Sequence, residues 1–87
     1  MSDEAQTDAP TARAVLEYVV ASLVQDEEAV RVDLDDSKST LQLEVRVGPD
    51  DMGRVIGRRG RVANAIRTLT RAAAARDGVD VDVEFVD

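Results

Sequence analysis

The stretch RVIGRRGRVANAIRTL, residues 54–69, places arginines around two glycines three positions apart and contains no acidic residue. It stands in a chain of 87 residues whose formal net charge is −7 at pH 7. Glycine adopts left-handed backbone more easily than any other residue, so Gly57 and Gly60 predict a tight corner between two helices. Arg58 and Arg59 would form the tip of that corner. The rest of the fold can be worked out on either side of it.

The spacing of apolar residues predicts one helix and two strands before the corner. Apolar residues recur at helical spacing from Pro10 to about Val24, with Asp8 or Thr11 available to cap the helix start. Two runs with a period of two follow, and they predict a hairpin of half-buried strands on either side of the polar turn 36–39. The apolar, inward positions of the two strands are Val30, Val32, Leu34, Leu41, Leu43, Val45 and Val47.

Two helices and one strand are predicted around and after the corner. A short helix begins at Pro49 and ends at Gly57, and a longer helix follows Gly60 and stops near Gly78. A final alternating run, residues 79–86, predicts the last strand. The order α-β-β-α-α-β predicts an α+β fold in which three helices pack on one face of a three-stranded mixed sheet. The predicted buried stripe of the long helix is Val62, Ala63, Ile66, Leu69, Ala72 and Ala73.

Length and composition exclude several classes of protein. The chain is long enough for one small domain, predicted over residues 9–87, after a disordered acidic tail over residues 1–8. It has no cysteine and no histidine, which excludes disulfides, thiolate or imidazole metal sites and Ser-His or Cys-His nucleophiles. We find neither a signal peptide nor a run long enough to span a membrane. We therefore expect a cytoplasmic protein without a cofactor.

The charges are segregated along the chain. Residues 1–51 contain 13 acidic and 4 basic residues, residues 52–76 contain 7 basic and no acidic residues, and residues 77–87 contain 5 acidic and no basic residues. A ligand responds to the field within a Debye length of about 8 Å rather than to the net charge of the whole chain. The acidic residues would therefore repel a polyanion from every side except that of the corner.

The corner has the residue types that hold phosphate groups. Two positions without a β-carbon allow a sugar-phosphate backbone to approach closely, and the start of the next helix presents unpaired N–H groups. Guanidinium groups suit phosphate oxygens, and i, i+4 spacing extends the positive edge along the helix. On the residues alone, the alternative that the glycines merely cap helices and the arginines keep them soluble stays open. The arginines concerned are Arg54, Arg58, Arg59, Arg61, Arg67 and Arg71.

The sequence also contains partial matches to other motifs. The hairpin places oxygen-bearing residues at some calcium-loop positions, but Lys38 stands where that loop needs glycine, and the flanks alternate like strands. The glycine spacing fits neither dinucleotide nor Walker loops, and the carboxylates on the strands face solvent. An enzyme is therefore not expected, except as a subunit whose partner supplies the chemistry. The alternative function is a protein-interaction adaptor, which would dock a partner on the ridge 72–75 or on an edge strand.

The segment VIGRRGRVANAI, residues 55–66, resembles the signature of the KH domain: an isoleucine, then G-x-x-G, then an apolar helix. The element order is similar to the type II, prokaryotic arrangement. EYVVASLV and VGPDDMGRVIGRRGRVANAIRTL resemble more closely the KhpA-type small bacterial RNA-binding proteins, which have a single KH domain. The resemblance implies that the loop 57–60 clamps the backbone of about four nucleotides of single-stranded RNA. It also implies a groove for bases, lined by Ile56, Val62 and the sheet near Leu43 and Val45.

The same resemblance implies partners and a cellular role. It implies a homodimer, a heterodimer with a larger KhpB-type RNA-binding protein, or both. It further implies an RNA chaperone that acts in post-transcriptional regulation linked to cell-wall and cell-shape control.

Overall fold

The computed structural model describes residues 8–37 and 39–86. Apart from Asp8, the predicted N-terminal tail lies outside these residues. The elements are α1 (Pro10–Leu23), β1 (Arg31–Asp35), β2 (Leu41–Arg46), α2 (Met52–Ile56), α3 (Arg61–Asp77) and β3 (Val81–Phe85). Single 3₁₀ turns lie at Glu27–Ala29, Pro49–Asp51 and Arg58–Gly60.

The three strands form one mixed sheet in the order β1-β2-β3. Strands β1 and β2 form the predicted antiparallel hairpin, in which Val32 pairs with Val45. Strand β3 runs parallel to β2, so that Leu43 pairs with Val83. Parallel neighbours need a long crossover, which α2 and α3 supply. This arrangement confirms the predicted α+β fold and its element order.

The core lies between the helices and one face of the sheet. It is built from aliphatic side chains, because each strand directs alternate residues inward and each helix buries one stripe. The largest fully buried apolar side chains are Leu16, Val20, Leu43, Val45, Val55 and Ile66.

The start of α1 is capped differently from the prediction. The residue before the helix is Ala9, with φ 49°, and no side chain within the first turn makes a capping hydrogen bond. Instead, the N–H groups of Thr11 and Ala12 donate to the carboxylate of Asp77, at 3.1 and 3.0 Å. The prediction that Asp8 or Thr11 caps the helix is therefore wrong. The cap comes from the far end of α3, and local spacing does not contain that information.

The buried stripe of α3 is rotated from the predicted one. Leu69 is 50% exposed and Ala72 is also exposed, whereas Thr70 and Ala74 are buried. Thr70 can be buried because its hydroxyl donates to the carbonyl oxygen of Ile66 at 2.8 Å, which satisfies the polar group. Leu69 and Ala72 were therefore wrong as core positions. The observed stripe is Ala63, Ile66, Thr70 and Ala74.

Candidate functional site

The corner between α2 and α3 has the backbone that its glycines predict. Helix α2 ends at Ile56, and Gly57 has φ 76° and ψ 172°, a region populated almost only by glycine. Arg59 has φ 59° and Gly60 has φ 75°, both left-handed. The chain therefore reverses within one short turn before α3 begins at Arg61.

Gly57 is also confined by its neighbour Val62. A β-carbon built on Gly57 would lie 2.4 Å from Val62 Cγ2 and 2.9 Å from the Val62 backbone nitrogen. Around Gly60, in contrast, no heavy atom of the described residues lies within 4 Å of such a β-carbon. The corner therefore packs closely against the first turn of α3 on one side and is open on the other.

A buried carboxylate ties the corner to the rest of the fold. Asp51 is 3% exposed and accepts the backbone N–H groups of Gln25 and Asp26, at 3.1 and 3.0 Å. Arg54 Nε lies 3.1 Å from Asp51 Oδ1. The two backbone hydrogen bonds, followed by the charge of Arg54, lower the pKa of Asp51 below 3.8. The sequence indicates only that Asp51 suits the positive end of the short helix. Its hydrogen bonds to Gln25 and Asp26, which give it a positioning role, could not be predicted from local spacing.

Arg54 differs from the other arginines of the corner because of this contact. Its guanidinium is paired with Asp51, so it acts first as a support of the corner. Arg58, Arg59 and Arg61 are exposed, and their side chains make no hydrogen bond or ion pair with any described residue. No side chain caps the first turn of α3 either. The Arg61 N–H, the first of α3, donates to the Arg58 carbonyl oxygen, so the expectation of unpaired N–H groups is wrong for that residue. The corner therefore brings unpaired guanidinium groups together with a helix start that no side chain caps.

The two arginines farther along α3 contact the edge strand. Arg71 Nη2 lies 3.0 Å from Asp82 Oδ1, in an ion pair at the surface. Arg67 Nε donates to the Val83 carbonyl oxygen at 3.2 Å, and its Nη1 donates to Asn64 Oδ1 at 3.1 Å. The positive edge that spacing predicts is therefore present, but strand β3 holds both of its guanidinium groups.

The apolar residues proposed for the groove fall into two groups. Ile56 and Val62 flank the corner and are partly exposed, so they are available to a ligand. Leu43 and Val45 are 0% and 1% exposed. These two residues cannot line an open groove, because the helices packed on this face of the sheet cover both of them. The expectation of a groove lining is therefore wrong for Leu43 and Val45 themselves, which belong to the hydrophobic core.

The uncovered face of the sheet is acidic. Asp33 pairs in register with Glu44, and Glu44 pairs with Glu84, so three carboxylates form a row across the strands. Arg46 partly offsets this row, with Nη1 3.2 Å from Asp33 Oδ2 and 3.9 Å from Glu44 Oε1. Basic and acidic surfaces are therefore separated in the fold as they are in the sequence.

The described residues contain no group of three or more histidine, cysteine or acidic side chains able to hold a metal ion. The calcium-loop positions considered in the hairpin include Asp33, Asp35 and Glu44, and all three lie in its paired strands. No helix in 8–37 or 39–86 has the length and apolar character needed to cross a membrane.

Comparison with known proteins places the chain among a group of small bacterial proteins. The family described as KhpA/KhpB, KH domain, matches residues 13–85. The protein named RNA-binding protein KhpA from Borreliella burgdorferi is 42% identical to this chain over 73 residues. The match covers 84% of this chain and 89% of the relative. The protein of that name from Mycobacterium bovis is 46% identical over 72 residues, covering 83% and 89%. The one from Clostridium perfringens is 40% identical over 74 residues, covering 85% and 99%.

One solved structure has the same fold. A crystal structure of an Era variant from Aquifex aeolicus, bound to GDP and aluminium fluoride, superposes with a TM-score of 0.59 at 17% identity. The match covers 85% of this chain and 29% of the Era chain. At this identity the similarity concerns the fold alone.

Proposed function

The chain belongs to the KhpA/KhpB KH-domain family, and we propose that it is a non-enzymatic, cytoplasmic protein that binds single-stranded RNA at the corner 57–60. Two lines of support converge on this proposal. The relatives are named RNA-binding proteins. The corner presents exposed guanidinium groups without partners among the described residues, beside a helix start that no side chain caps, an arrangement suited to phosphate oxygens.

The observation that carries the proposal is the exposed set Arg58, Arg59 and Arg61 on a backbone that only glycine permits at Gly57. Because Gly60 has open space around it, an RNA backbone can approach the main chain there. Ile56 and Val62 would contact the sugars or bases next to the clamped phosphates. Clamping of backbone nucleotides by a G-x-x-G loop is the recognition mode of KH domains.

The test reverses the charge of the tip. Arg58→Asp combined with Arg59→Asp should weaken binding to an unstructured RNA at least tenfold, measured by fluorescence anisotropy. The logarithm of the association constant falls with the logarithm of the salt concentration, and loss of two phosphate contacts should make this slope shallower by about 1.4 between about 50 and about 200 mM salt. The matched control is Arg31→Asp with Arg76→Asp, which changes net charge equally at exposed positions outside the corner. Wild-type protein without salt-sensitive RNA binding would refute the proposal.

We further propose that the exposed apolar face of α3 mediates pairing, either with a second copy or with a KhpB-type protein. Leu69 is 50% exposed and Ala72, three positions farther along, is also exposed; Ala75 is exposed one turn beyond Ala72, whereas Ala74 belongs to the core. In the adaptor alternative, this face docks a partner that supplies most RNA contacts. The chaperone role, linked to cell-wall and cell-shape control, would depend on such a complex.

Self-association and RNA binding can be separated by experiment. Leu69→Glu should convert a dimer to a monomer in sedimentation equilibrium, because a buried carboxylate at an apolar interface is costly. The double charge reversal at Arg58 and Arg59 should leave the association state unchanged. A protein that is monomeric throughout the micromolar range would rule out the homodimer, and binding of a KhpB-type protein would then be measured separately.

A further inference from the structure

The sheet has β1 at one edge and β3 at the other, within the part of the chain that the structure describes. The carbonyl oxygen of Val45 accepts the Val86 N–H, so the peptide groups of Val45 face β3. Val45 pairs in register with Val32, and paired residues of an antiparallel ladder either face each other or both face away. Val32 therefore directs its N–H and C=O toward the free edge of β1, and Leu34 does the same two positions later. Such an edge is a template for pairing with another strand.

An arginine of α1 occupies this edge. Arg13 Nη2 donates to the Val32 carbonyl oxygen at 3.1 Å, in a partly buried contact. The opposite edge has the same feature, since Arg67 Nε of α3 donates to the Val83 carbonyl oxygen of β3 at 3.2 Å. Each flanking helix therefore places one guanidinium on a carbonyl of the edge strand beside it. The N–H of an added strand would have to displace that guanidinium before it could reach the carbonyl.

The charges on β1 suit pairing with a second copy of the same strand. In an antiparallel pair centred on Val32, each Val32 would lie opposite its counterpart, and Arg31 of one copy would lie opposite Asp33 of the other. Arg31 is exposed, and the side chain of Asp33 is 62% exposed despite its ion pair with Arg46. Opposite charges across neighbouring strands attract, and this register contains two such pairs. The carbonyl that Arg13 holds lies at the centre of this arrangement.

We propose that the free edge of β1 is a latent pairing surface for a second copy of this chain, and that Arg13 keeps it closed. Pairing of two copies requires both Arg13 side chains to release Val32. The closed edge is therefore favoured by two hydrogen bonds from charged donors. This surface belongs to other elements than the apolar face of α3, and its closure does not depend on RNA binding.

The test removes the donor in a Leu69→Glu background, so that the apolar face of α3 does not contribute to association. Arg13→Ala should raise the dimer association constant at least about tenfold in sedimentation equilibrium, because no hydrogen bond to Val32 then has to be broken. The N–H groups of Val32 and Leu34 should become protected from hydrogen exchange as the dimer forms. The matched control is Arg76→Ala, which changes net charge equally at an exposed position of α3 and should leave the association constant unchanged.

A second variant covers the case in which Arg13→Ala disturbs the packing of α1. Arg13→Met keeps the aliphatic part of the side chain and removes the donor, so it should produce the same dimer. Adding Asp33→Arg to either variant places like charges opposite each other and should restore the monomer. Circular dichroism checks that each variant is folded.

Three results would overturn the proposal. The first is that folded Arg13→Ala and Arg13→Met proteins associate no more than their Leu69→Glu parent across the micromolar range. The second is that Arg76→Ala associates as strongly as they do, which would indicate a general effect of net charge. The third is a dimer that persists after Asp33→Arg or leaves the Val32 N–H unprotected, which would place the contact elsewhere.

Discussion

The two glycines of the corner meet different surroundings. Gly57 combines positive φ with extended ψ and lies against Val62, whereas Gly60 has ordinary left-handed backbone and open space. A side chain at Gly60 therefore meets only the conformational cost of left-handed backbone. A side chain at Gly57 meets that cost and a steric clash as well.

Substitution by alanine should separate these two costs. We expect Gly60→Ala to lower the free energy of unfolding by about 1 kcal/mol, and Gly57→Ala by about 3 kcal/mol or more. Urea denaturation followed by circular dichroism measures both values. Adding Val62→Ala should recover part of the loss from Gly57→Ala but none of the loss from Gly60→Ala. Equal costs for the two glycines would contradict the clash.

The orientation of α3 decides which of its apolar residues stabilise the fold. Ile66 is 2% exposed, whereas Leu69 is 50% exposed. Ile66→Ala should therefore cost about 2–4 kcal/mol of unfolding free energy through the cavity that it leaves, and Leu69→Ala should cost less than about 1 kcal/mol. Thermal and urea unfolding of the two variants measure this difference. A large cost at Leu69 in the monomer would indicate that the helix is rotated from the position described here.

The elements themselves could be predicted from the sequence, because their signals are local. The alternation in Arg31–Asp35 and in Leu41–Arg46, and the glycines at the helix ends, predicted strands and boundaries within about one or two residues. Gly78 ends α3 as expected: it has left-handed backbone, and its N–H donates to the Ala75 carbonyl oxygen at 3.2 Å.

The errors in the sequence-based prediction concern hydrogen bonds that hydrophobic periodicity does not reveal, and most of these join distant segments. Thr70 is buried because its hydroxyl finds a carbonyl one turn back, which hydrophobic periodicity does not anticipate. Asp77, at the end of α3, caps the start of α1. In the same way, the anchoring of Arg67 requires β3 to lie beside α3. The positions of the corner glycines and arginines could be predicted, whereas the partners of Arg54, Arg67 and Arg71 could not.

The contact between α1 and α3 should depend on pH. Burial alone would raise the pKa of Asp77, but the N–H groups of Ala12 and Thr11 outweigh it and lower the pKa below 3.8. A carboxyl group with a lowered folded-state pKa stabilises the fold above its unfolded-state pKa, and that stabilisation is lost as pH falls through the folded-state value. Asp77→Asn should thus make the decline in stability between about pH 5 and about pH 2 shallower. Urea titrations at each pH measure the slope, and an unchanged slope would exclude this role.

At the scale of the whole molecule, the separation of charge should control how RNA approaches. The carboxylate row Asp33, Glu44 and Glu84 lies on the uncovered sheet face, away from the helices. Replacing Asp33 with Asn and both Glu44 and Glu84 with Gln should increase the rate of association with RNA severalfold at about 20 mM salt. The same substitutions should have little effect at about 300 mM salt, because salt screens long-range electrostatic fields. Stopped-flow fluorescence measures the rate. A salt-independent increase would indicate a direct contact instead.

The pairing of β3 with β2 joins residues as distant in the chain as Leu41 and Val81, across both helices. Loop closure of that length is entropically unfavourable, and non-local pairing slows folding relative to helical bundles. The hairpin and the glycine corner depend on near neighbours, whereas the anchoring of Arg67 requires β3 in place. A newly folding molecule therefore anchors Arg67 only after β3 has paired with β2.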